Sequence, residues 1–462
     1  MQTAGEHRPH TTNLRALELR ATVRLAVPIV LVQVGFMAMG VVDTLMVGHR
    51  GAAVLAAVAL GNLYFVNASM LGMGALMALD PVVAQSLGAR ELEGVSRAIQ
   101  RALLLALGFS LFTALVMVPA LPVLRAFHQP PDVAVDAARY VVISIVGVLP
   151  FFAFVVLRQT LQAMHRVAPV VWTMIAANLT NAGLNWVFVY GHLGSPAFGA
   201  AGSAIATAVS RWLMVILLLA GAWPALRPHL LPVRHDVWRP LALRRMLALG
   251  LPIGVQMTLE TAAFGAIGLL MGVLGTTDIA AHQIAITLAS FTFMVPVGVG
   301  SAAAVRVGHA IGARDARRAR AAMRAAYICG VGFMCVTAVI FLGVPSLLAR
   351  AFTGDTQVIA LAALLIPVAG VFQVFDGAQA VGAGVLRGAG DTTAPLLVML
   401  AAYWLVGVPV SAYLGFRTSM GPVGLWWGFV VSLATVAVFL FLRVRVVFGR
   451  ELRRVHIEQH DR

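Results

Sequence analysis

Long apolar stretches recur along almost the whole chain, and they decide what kind of protein it can be. From Arg24 to Phe448, runs of about 20 or more mostly apolar residues follow one another with short polar breaks. A helix of that length and composition can span a bilayer, because it satisfies its own backbone hydrogen bonds where water is absent. With 60% hydrophobic and 11% charged residues, the chain is too apolar for a soluble domain, which carries ~25% charge. The sequence predicts an all-α, polytopic membrane protein.

Twelve spans can be counted along the sequence. Several are longer than a bilayer requires and must tilt, kink or protrude. Pro28, Pro81, Pro252 and Pro296 lie inside spans and favour kinks, because proline lacks a backbone donor. The predicted spans are residues 22–48, 53–87, 97–121, 138–163, 169–190, 202–222, 246–274, 279–311, 321–347, 358–388, 393–415 and 422–447.

The net charge of +15 comes from arginine, since the chain has no lysine, and the arginines are unevenly placed. On the twelve-span arrangement, five of the 33 lie in or beside the loops of one face, Arg211 lies within the sixth span, and the other 27 lie on the opposite face. An excess of basic residues in the loops on one face marks that face as cytoplasmic. We therefore expect both termini in the cytoplasm and no nucleic-acid partner. Arg211 is expected to pack against helix ends or to snorkel, and an anion contact is the alternative.

The chain divides into two halves of six spans. The largest polar break, residues 223–245, contains four prolines and five arginines and is predicted to be a cytoplasmic linker. The predicted domains are a cytoplasmic N-terminal tail (1–21), an N-lobe (22–222), the linker (223–245), a C-lobe (246–447) and a cytoplasmic C-terminal tail (448–462).

The two halves are related by an internal repeat. An offset of 224 places Pro28 on Pro252 and residues 86–90 (SLGAR) on residues 310–314 (AIGAR), each followed by an arginine-rich turn. Six spans separate equivalent positions, so both halves have the same orientation and their symmetry axis runs along the membrane normal. This arrangement is used by transporters, and it predicts a substrate path between or within the lobes.

Four acidic residues lie well inside predicted spans: Asp43, Asp80, Glu260 and Asp376. A charge at the bilayer centre costs roughly 2.5–3.5 kcal/mol on insertion scales, so such groups usually face a cavity, a partner or an ion. A carboxylate that binds either a proton or a cation can exchange one for the other, as an antiporter requires. Glu260 and Asp376 are predicted to form one site in the C-lobe and Asp43 a site in the N-lobe, with no basic residue beside these acids. The alternative for each is a neutral carboxyl group bonded between helices, and it is strongest for Asp80, which precedes Pro81.

Polar side chains in the fifth and sixth spans accompany these acids. Asn178, Asn181 and Asn185 are spaced by three and four residues, so they lie along one helix face. Thr207 of the sixth span could add a hydroxyl group. Amide and hydroxyl oxygens suit a hard cation or a carboxyl partner, and helix-to-helix hydrogen bonding is the alternative.

His282 and Gln283 lie near the outer start of span eight. A histidine there could sense pH, and an interfacial hydrogen bond is the alternative. The chain has no Walker motif, HExxH or CxxC pair. We therefore predict a transporter rather than an enzyme, without a cofactor and driven by an ion gradient.

Together these features resemble the MATE (multidrug and toxic compound extrusion) family, most closely its bacterial NorM-like branch, over nearly all of residues 20–448. The resemblance rests on the order and spacing of several short motifs. They are residues 42–44 (VDT) fifteen positions after Pro28, residues 251–254 (LPIG) ahead of Glu260, residues 281–284 (AHQI) and 307–309 (VGH), residues 376–379 (DGAQ), and residues 384–388 (GVLRG).

The resemblance implies two six-helix bundles in a V, in a bacterial inner membrane, exporting bulky organic cationic drugs and dyes in exchange for sodium ions or protons. We expect the chain to work as a monomer surrounded by membrane lipid. The resemblance also implies that Asp43 is the N-lobe cation or proton site, with Asn181, Asn185 and Thr207 as its polar companions.

In the C-lobe, the resemblance implies that Glu260 and Asp376 form the cation pair, where sodium would bind. Phe372 is a departure, because NorM-like relatives often have tyrosine there. A cation could still meet the ring face, but the lost hydroxyl favours protons over sodium. Asp80 is a second departure, because the equivalent position is uncharged in some relatives.

Two other functions remain open from the sequence. A lipid-linked precursor flippase shares the two-lobe architecture but should have more basic residues in its cavity. A membrane-embedded transferase acting on polyprenyl phosphate would need acidic and basic residues clustered at a membrane face or in a sizeable loop, and no predicted loop is long enough.

Overall fold

The computed structural model describes residues 11–457, and within that range the chain consists of helices joined by turns. The outer parts of the two predicted tails, residues 1–10 and 458–462, lie outside the described residues. The helices of the first half are α1 (Thr11–Gly48), α2 (Ala52–Leu76), α3 (Leu79–Gly88), α4 (Leu92–Met117), α5 (Ala120–Ala126), α6 (Pro131–Ser144), α7 (Val148–Ala163), α8 (Ala168–Phe188) and α9 (Ala200–Leu230).

The second half follows the same plan, with one irregular segment. A π-helical turn (Ala401–Gly407) separates α15 from α16. The helices of this half are α10 (Pro240–Leu274), α11 (Thr276–Gly312), α12 (Ala316–Gly343), α13 (Pro345–Arg350), α14 (Thr356–Gly388), α15 (Thr393–Leu400), α16 (Val408–Phe416) and α17 (Gly421–Gly449).

Eleven segments of the described chain are long and apolar enough to cross a bilayer, and they match eleven of the twelve predicted spans. The twelfth predicted span, residues 169–190, is α8. Its 21 residues are enough to cross, but Asn178, Asn181 and Asn185 make it less apolar than the others. The helix with the weakest membrane signal is therefore the one that carries the predicted polar face.

The predicted kink positions differ in effect. Helices α1, α10 and α11 continue through Pro28, Pro252 and Pro296. Pro81 instead lies in the first turn of α3, just after the break that separates α2 from α3. A proline is tolerated in the first turn, because the amide it lacks would have no partner within the helix.

The predicted linker, residues 223–245, contains the end of α9 and the start of α10, so only residues 231–239 lie between them. Helix α9 continues through Pro224 and Pro228. The terminal carbonyl groups are satisfied from α4, where Gln100 Nε2 donates to the carbonyl oxygens of residues 229, 230 and 232 at 3.0, 3.3 and 3.1 Å. This side chain supplies the partners that the end of a helix lacks.

The two halves meet closely where α3 crosses α11. A Cβ atom added to Gly88 would lie 2.2 Å from the carbonyl oxygen of His309, and one added to Gly312 would lie 2.0 Å from that of Gln85. Gly88 and Gly312 are the glycines of the repeated SLGAR and AIGAR motifs. The repeat therefore places a glycine on each side of the crossing, where no larger residue fits.

The described C-terminal residues 450–457, which we name the C-terminal strap, cross from α17 to the first half. Both terminal nitrogens of Arg454 bond the carboxylate of Glu91, at 2.5 and 2.6 Å. The Val455 amide donates to Gln85 Oε1 at 2.8 Å, and Gln85 Nε2 donates to the Gly388 carbonyl oxygen at 3.0 Å. Hydrogen bonding from Arg454 lowers the pKa of Glu91. The C-terminal strap thus joins both halves of the chain. It does so on the arginine-rich face, where the turns after Gly88 and Gly388 also lie.

Candidate ion and substrate sites

The predicted N-lobe site is assembled in the structure. Asp43 of α1 is buried, with 6% of its surface exposed. Asn185 Nδ2 of α8 donates to Asp43 Oδ1 at 2.6 Å, and the Thr207 hydroxyl of α9 donates to Oδ2 at 2.8 Å. Asn181 Oδ1 accepts from Asn185 Nδ2 at 3.2 Å. Three helices therefore converge, and both carboxylate oxygens have a neutral donor.

Asn178 is on the same face of α8 but does not reach Asp43. Its Nδ2 donates to the Gly35 carbonyl oxygen of α1 at 3.1 Å and to the Met174 carbonyl oxygen at 2.9 Å. The bond to Gly35 holds α8 against α1.

Arg211 packs against the start of α7, where a Cβ atom added to Gly147 would lie 3.1 Å from Arg211 Cδ. Its guanidinium carbon lies 3.7 Å from the ring centroid of Phe65 and 5.5 Å from that of Phe151. Stacking on an aromatic face favours a cation in a low-dielectric environment. Arg211 follows Thr207 by one helical turn, so a buried positive charge lies near the Asp43 site.

The predicted C-lobe pair is also brought together. Gln379 Nε2 donates to Glu260 Oε1 of α10 at 2.9 Å and to Asp376 Oδ1 at 3.2 Å. The Tyr403 hydroxyl donates to the same Glu260 oxygen at 3.4 Å. Gln379 Oε1 is buried and has no hydrogen-bond partner among residues 11–457. One amide thus bridges two acids and leaves its own oxygen available.

The π-helical turn presents Tyr403 to this pair. Trp404 Nε1 of the turn donates to the Leu259 carbonyl oxygen of α10 at 3.3 Å, and Ser432 of α17 donates to the Ala402 carbonyl oxygen at 2.9 Å. Such turns are rare in helices and often occur at functional sites. The turn is therefore fixed on both sides.

Sequence reasoning missed two residues of the C-lobe site. Gln379 follows Asp376 by three residues, a spacing that places both on one helix face, so the signal was available. Tyr403 had no comparable signal, because α-helical spacing does not describe a π-helical turn.

Phe372 lies one turn before Asp376 and is almost fully buried. Its ring packs against Phe264, Trp426 and Phe429, with centroids 6.1, 5.5 and 5.8 Å away. The absence of a hydroxyl at this position was expected to favour protons over sodium. The structure places the Tyr403 hydroxyl at the same acid pair, which weakens that inference.

The C-lobe acids open onto a cavity of about 490 Å³ between α10, α11 and α14, with α2 contributing one wall. The wall is mostly apolar, and its charged members are Glu260, Asp376 and Arg387. Flexible methionine side chains suit ligands of varied shape. The methionines and phenylalanines that line it are Met70, Met77, Met257, Met294, Phe264, Phe293 and Phe372.

Asp80, which the expectation about basic residues did not cover, has a basic neighbour from the other half of the chain. Arg387 Nε of α14 lies 3.7 Å from Asp80 Oδ2 of α3. Asp80 Oδ1 has no hydrogen-bond partner among the described residues. The sequence gives no sign of this contact, because 307 positions separate the two residues and they approach only when the two halves pack together.

His282 and Gln283 do not join either acid site. The His282 ring is buried, with its centroid 5.6 Å from that of Trp426. Gln283 Nε2 donates to the Thr287 hydroxyl on its own helix at 3.4 Å. Neither residue lines the cavity.

A family model described as MatE matches residues 28–187 and 252–413. The chain belongs to the MatE family. The two matched segments begin at Pro28 and Pro252, the pair that the offset of 224 aligned. The recognition of this family from the sequence and the all-α, two-lobe fold expected from it are confirmed.

Relatives match along nearly their whole length. "Probable multidrug resistance protein NorM" of Mesorhizobium japonicum is 38% identical over 95% of this chain and 96% of its own length. "Multidrug resistance protein MdtK" of Pectobacterium atrosepticum is 33% identical over 95% of this chain and 97% of its own length. Membership thus extends over both lobes.

Solved structures of the family share the fold at low sequence identity. The eukaryotic MATE transporter AtDTX14 superimposes with a TM-score of 0.86 at 23% identity, covering 93% of this chain and 96% of that one. A MATE family multidrug resistance transporter of the MOP superfamily, in an outward-facing conformation, gives a TM-score of 0.86 at 19% identity, covering 97% and 99%.

Proposed function

We propose that this chain exports organic cations in antiport with sodium ions or protons. The observation that carries the proposal is that Glu260 and Asp376 share one amide donor at the wall of a cavity of about 490 Å³. Relatives that match both lobes are named multidrug resistance proteins. A cavity with acids in an apolar, methionine-rich wall suits bulky cations, because charge and hydrophobic area are both complementary.

The acid pair makes the two bindings mutually exclusive. Like charges held close together in a low-dielectric site are unfavourable unless a proton or a cation joins them. A sodium ion or a proton can fill that role from one side of the membrane, and an organic cation from the other. The lobes alternate between the two openings, so release of one charge permits entry of the other.

Sodium could be held by the oxygens present. Among residues 11–457 no three His, Cys, Asp or Glu side chains converge on one point. A sodium site would therefore combine the two carboxylates with the free Gln379 oxygen and the Tyr403 hydroxyl. We propose Asp43, with Asn181, Asn185 and Thr207, as a second cation or proton site in the N-lobe.

We further propose that the arginine-rich face is cytoplasmic and that both termini lie there, in a bacterial inner membrane, because basic loops stay inside. The predicted lobe limits, residues 22–222 and 246–447, and the monomeric working unit belong to the same proposal.

A flippase for lipid-linked precursors fits less well. It would need basic residues in the cavity, and Arg387, the cavity's one basic lining residue among those described, lies beside Asp80. A transferase acting on polyprenyl phosphate fits less well for the same reason, because a phosphate group needs basic partners in the site.

Ethidium efflux from proteoliposomes tests the proposal, with a sodium gradient and a pH gradient imposed one at a time. Glu260→Gln and Asp376→Asn should each abolish gradient-dependent efflux. Asp136→Asn is the matched control, since Asp136 forms an ion pair with Arg139 of its own helix at 3.8 Å and does not line the cavity. If both acid variants kept the wild-type response to both gradients, the proposal would be wrong.

A further inference from the structure

Arg387 places a positive charge in the wall of the cavity that is proposed to bind cations. On α14, Asp376, Ala380, Ala383 and Arg387 follow at intervals of four, three and four, so they share one face, and all four line the cavity. Eleven residues of α-helix rise about 16 Å. The Asp376 and Arg387 side chains both lean toward the N-terminus of the helix and the arginine is the longer of the two, so the guanidinium group lies within about 16 Å of the acid pair. At that distance Arg387 opposes the entry of any cation.

Asp80 lies on the far side of Arg387. Its Oδ2 is 3.7 Å from Arg387 Nε, and both side chains are buried, with 3% and 13% of their surfaces exposed. Arg387 Nη1 also lies 3.1 Å from the sulfur of Met77, one turn before Asp80. Within residues 11–457, Asp80 is the acid that pairs with Arg387, and Glu260 and Asp376 do not.

A second arginine also acts on Asp80. Arg158 of α7 is close enough to interact electrostatically with Asp80. Its Nη1, however, donates to Gln33 Oε1 of α1 at 2.7 Å, and it does not line the cavity. Asp80 therefore lies between an arginine of its own lobe and an arginine of the cavity wall.

We propose that Asp80 is a specificity-determining residue, which acts as the counterion of Arg387 and thereby keeps the cavity attractive to cations. This role rests on the proposed function, because it matters only if the cavity binds organic cations. With Asp80 ionised, the field of Arg387 is largely cancelled and the two acids dominate. Without Asp80, Arg387 repels the ligand.

The size of the effect follows from the distance. Asp80 lies beyond Arg387, roughly 16–20 Å from the acid pair, and at an effective dielectric constant of ~20 a unit charge at that distance changes a binding constant by roughly fivefold. The binding constant of a ligand with two positive charges should change by about the square of that factor. The binding constant of an uncharged ligand should not change. Comparing ligands of different charge therefore separates an electrostatic role of Asp80 from a role in packing.

Dye binding to the purified protein tests the inference. The probes are ethidium (one charge), propidium (the same ring system with a second fixed charge) and the uncharged dye Nile red. Asp80→Asn should weaken ethidium binding by about fivefold and propidium binding by about 25-fold, with Nile red within twofold. Asp80→Glu should behave like the wild type, and Asp136→Asn serves as the matched Asp-to-Asn control.

The double variant Asp80→Asn/Arg387→Gln decides the mechanism. Removing both charges should restore ethidium binding to within about twofold of the wild type. If Asp80→Asn does not fold, Arg387→Gln alone serves, and it should tighten ethidium binding.

Three outcomes would overturn the inference: equal losses for charged and uncharged dyes, unchanged ethidium binding in Asp80→Asn, or weaker ethidium binding in Arg387→Gln. Failure of the proposed function would look different, because wild-type protein would then bind neither cation or would bind both without any gradient-driven efflux.

Discussion

The two lobes bury their acids in opposite ways. In the N-lobe, one carboxylate has two neutral donors, and both oxygens of Asp43 are bonded at 2.6 and 2.8 Å. In the C-lobe, two carboxylates share the single amide of Gln379, and the Tyr403 hydroxyl adds a contact at 3.4 Å. Both oxygens of the N-lobe carboxylate therefore have a hydrogen-bond donor. The two C-lobe carboxylates have more oxygen acceptors than the Gln379 amide and the Tyr403 hydroxyl can serve. We therefore expect the C-lobe acid pair to exchange one cation for another, and we expect substitutions at the N-lobe site to reduce efflux less.

The largest expected effect tests this difference directly. Asp376→Asn should reduce gradient-dependent ethidium efflux to background, because the cavity then lacks its paired charge. Asp43→Asn should lower the rate by about tenfold, since the amide keeps part of the hydrogen-bond network. Initial rates in proteoliposomes measure both. A greater loss in Asp43→Asn than in Asp376→Asn would reverse the comparison.

The next effect concerns the shared donor. Gln379→Leu removes the bonds to both Glu260 and Asp376, and a hydrogen bond to a charged group contributes about 1.5–3 kcal/mol. Efflux should fall by roughly ten- to hundredfold on that scale. Asn185→Leu, the matched change in the N-lobe, leaves Asp43 bonded to Thr207 and should cost less. Equal losses from the two substitutions would mean that the sites are equivalent.

A smaller effect is expected for Thr207→Val, which keeps the side-chain shape and removes one donor to Asp43. The free energy of unfolding should fall by about 1.5 kcal/mol, measured by thermal unfolding in detergent. Efflux should fall by less than tenfold. Ser210→Ala is the control, because Ser210 lies in the same helix and bonds only its own backbone among the described contacts. Matching losses in the two variants would argue against a special role for Thr207.

The smallest effect is expected for Tyr403→Phe, because its hydroxyl makes a long bond of 3.4 Å to Glu260. The loss should be below about 1 kcal/mol, or a few-fold in rate. If the hydroxyl binds sodium, efflux driven by sodium should fall more than efflux driven by protons. Parallel rates under the two gradients provide the measurement, and an equal fall in both would exclude a sodium ligand at this position.

The architecture could be predicted from the sequence because its signals are local and repeated. Apolar spans and the matched Pro28 and Pro252 depend on length and order alone. The meeting of Asp43 with Asn185 was also accessible, since helical spacing placed the asparagines of α8 on one face, although the contact itself was implied by family resemblance.

What could not be predicted depends on how separate helices pack. The approach of Arg387 to Asp80 arises only when the lobes meet, and no spacing rule links positions so far apart. Tyr403 reaches Glu260 because the backbone leaves α-helical geometry at residues 401–407. Non-local packing and irregular backbone are the features that a pattern of apolar spans does not encode.

The π-helical turn has a consequence for how the protein tolerates changes in length. Such a turn holds one residue more than an α-helical turn over the same path. Deleting one residue from 401–407 would let the segment close as a regular helix without breaking it. In a regular helix one residue corresponds to about 100° of rotation, and the π-helical turn absorbs that rotation, so α15 and α16 would keep their present faces while the side chains within residues 401–407 would shift. The helix would survive, but the hydroxyl of Tyr403 and the indole of Trp404 could not both keep their contacts with α10.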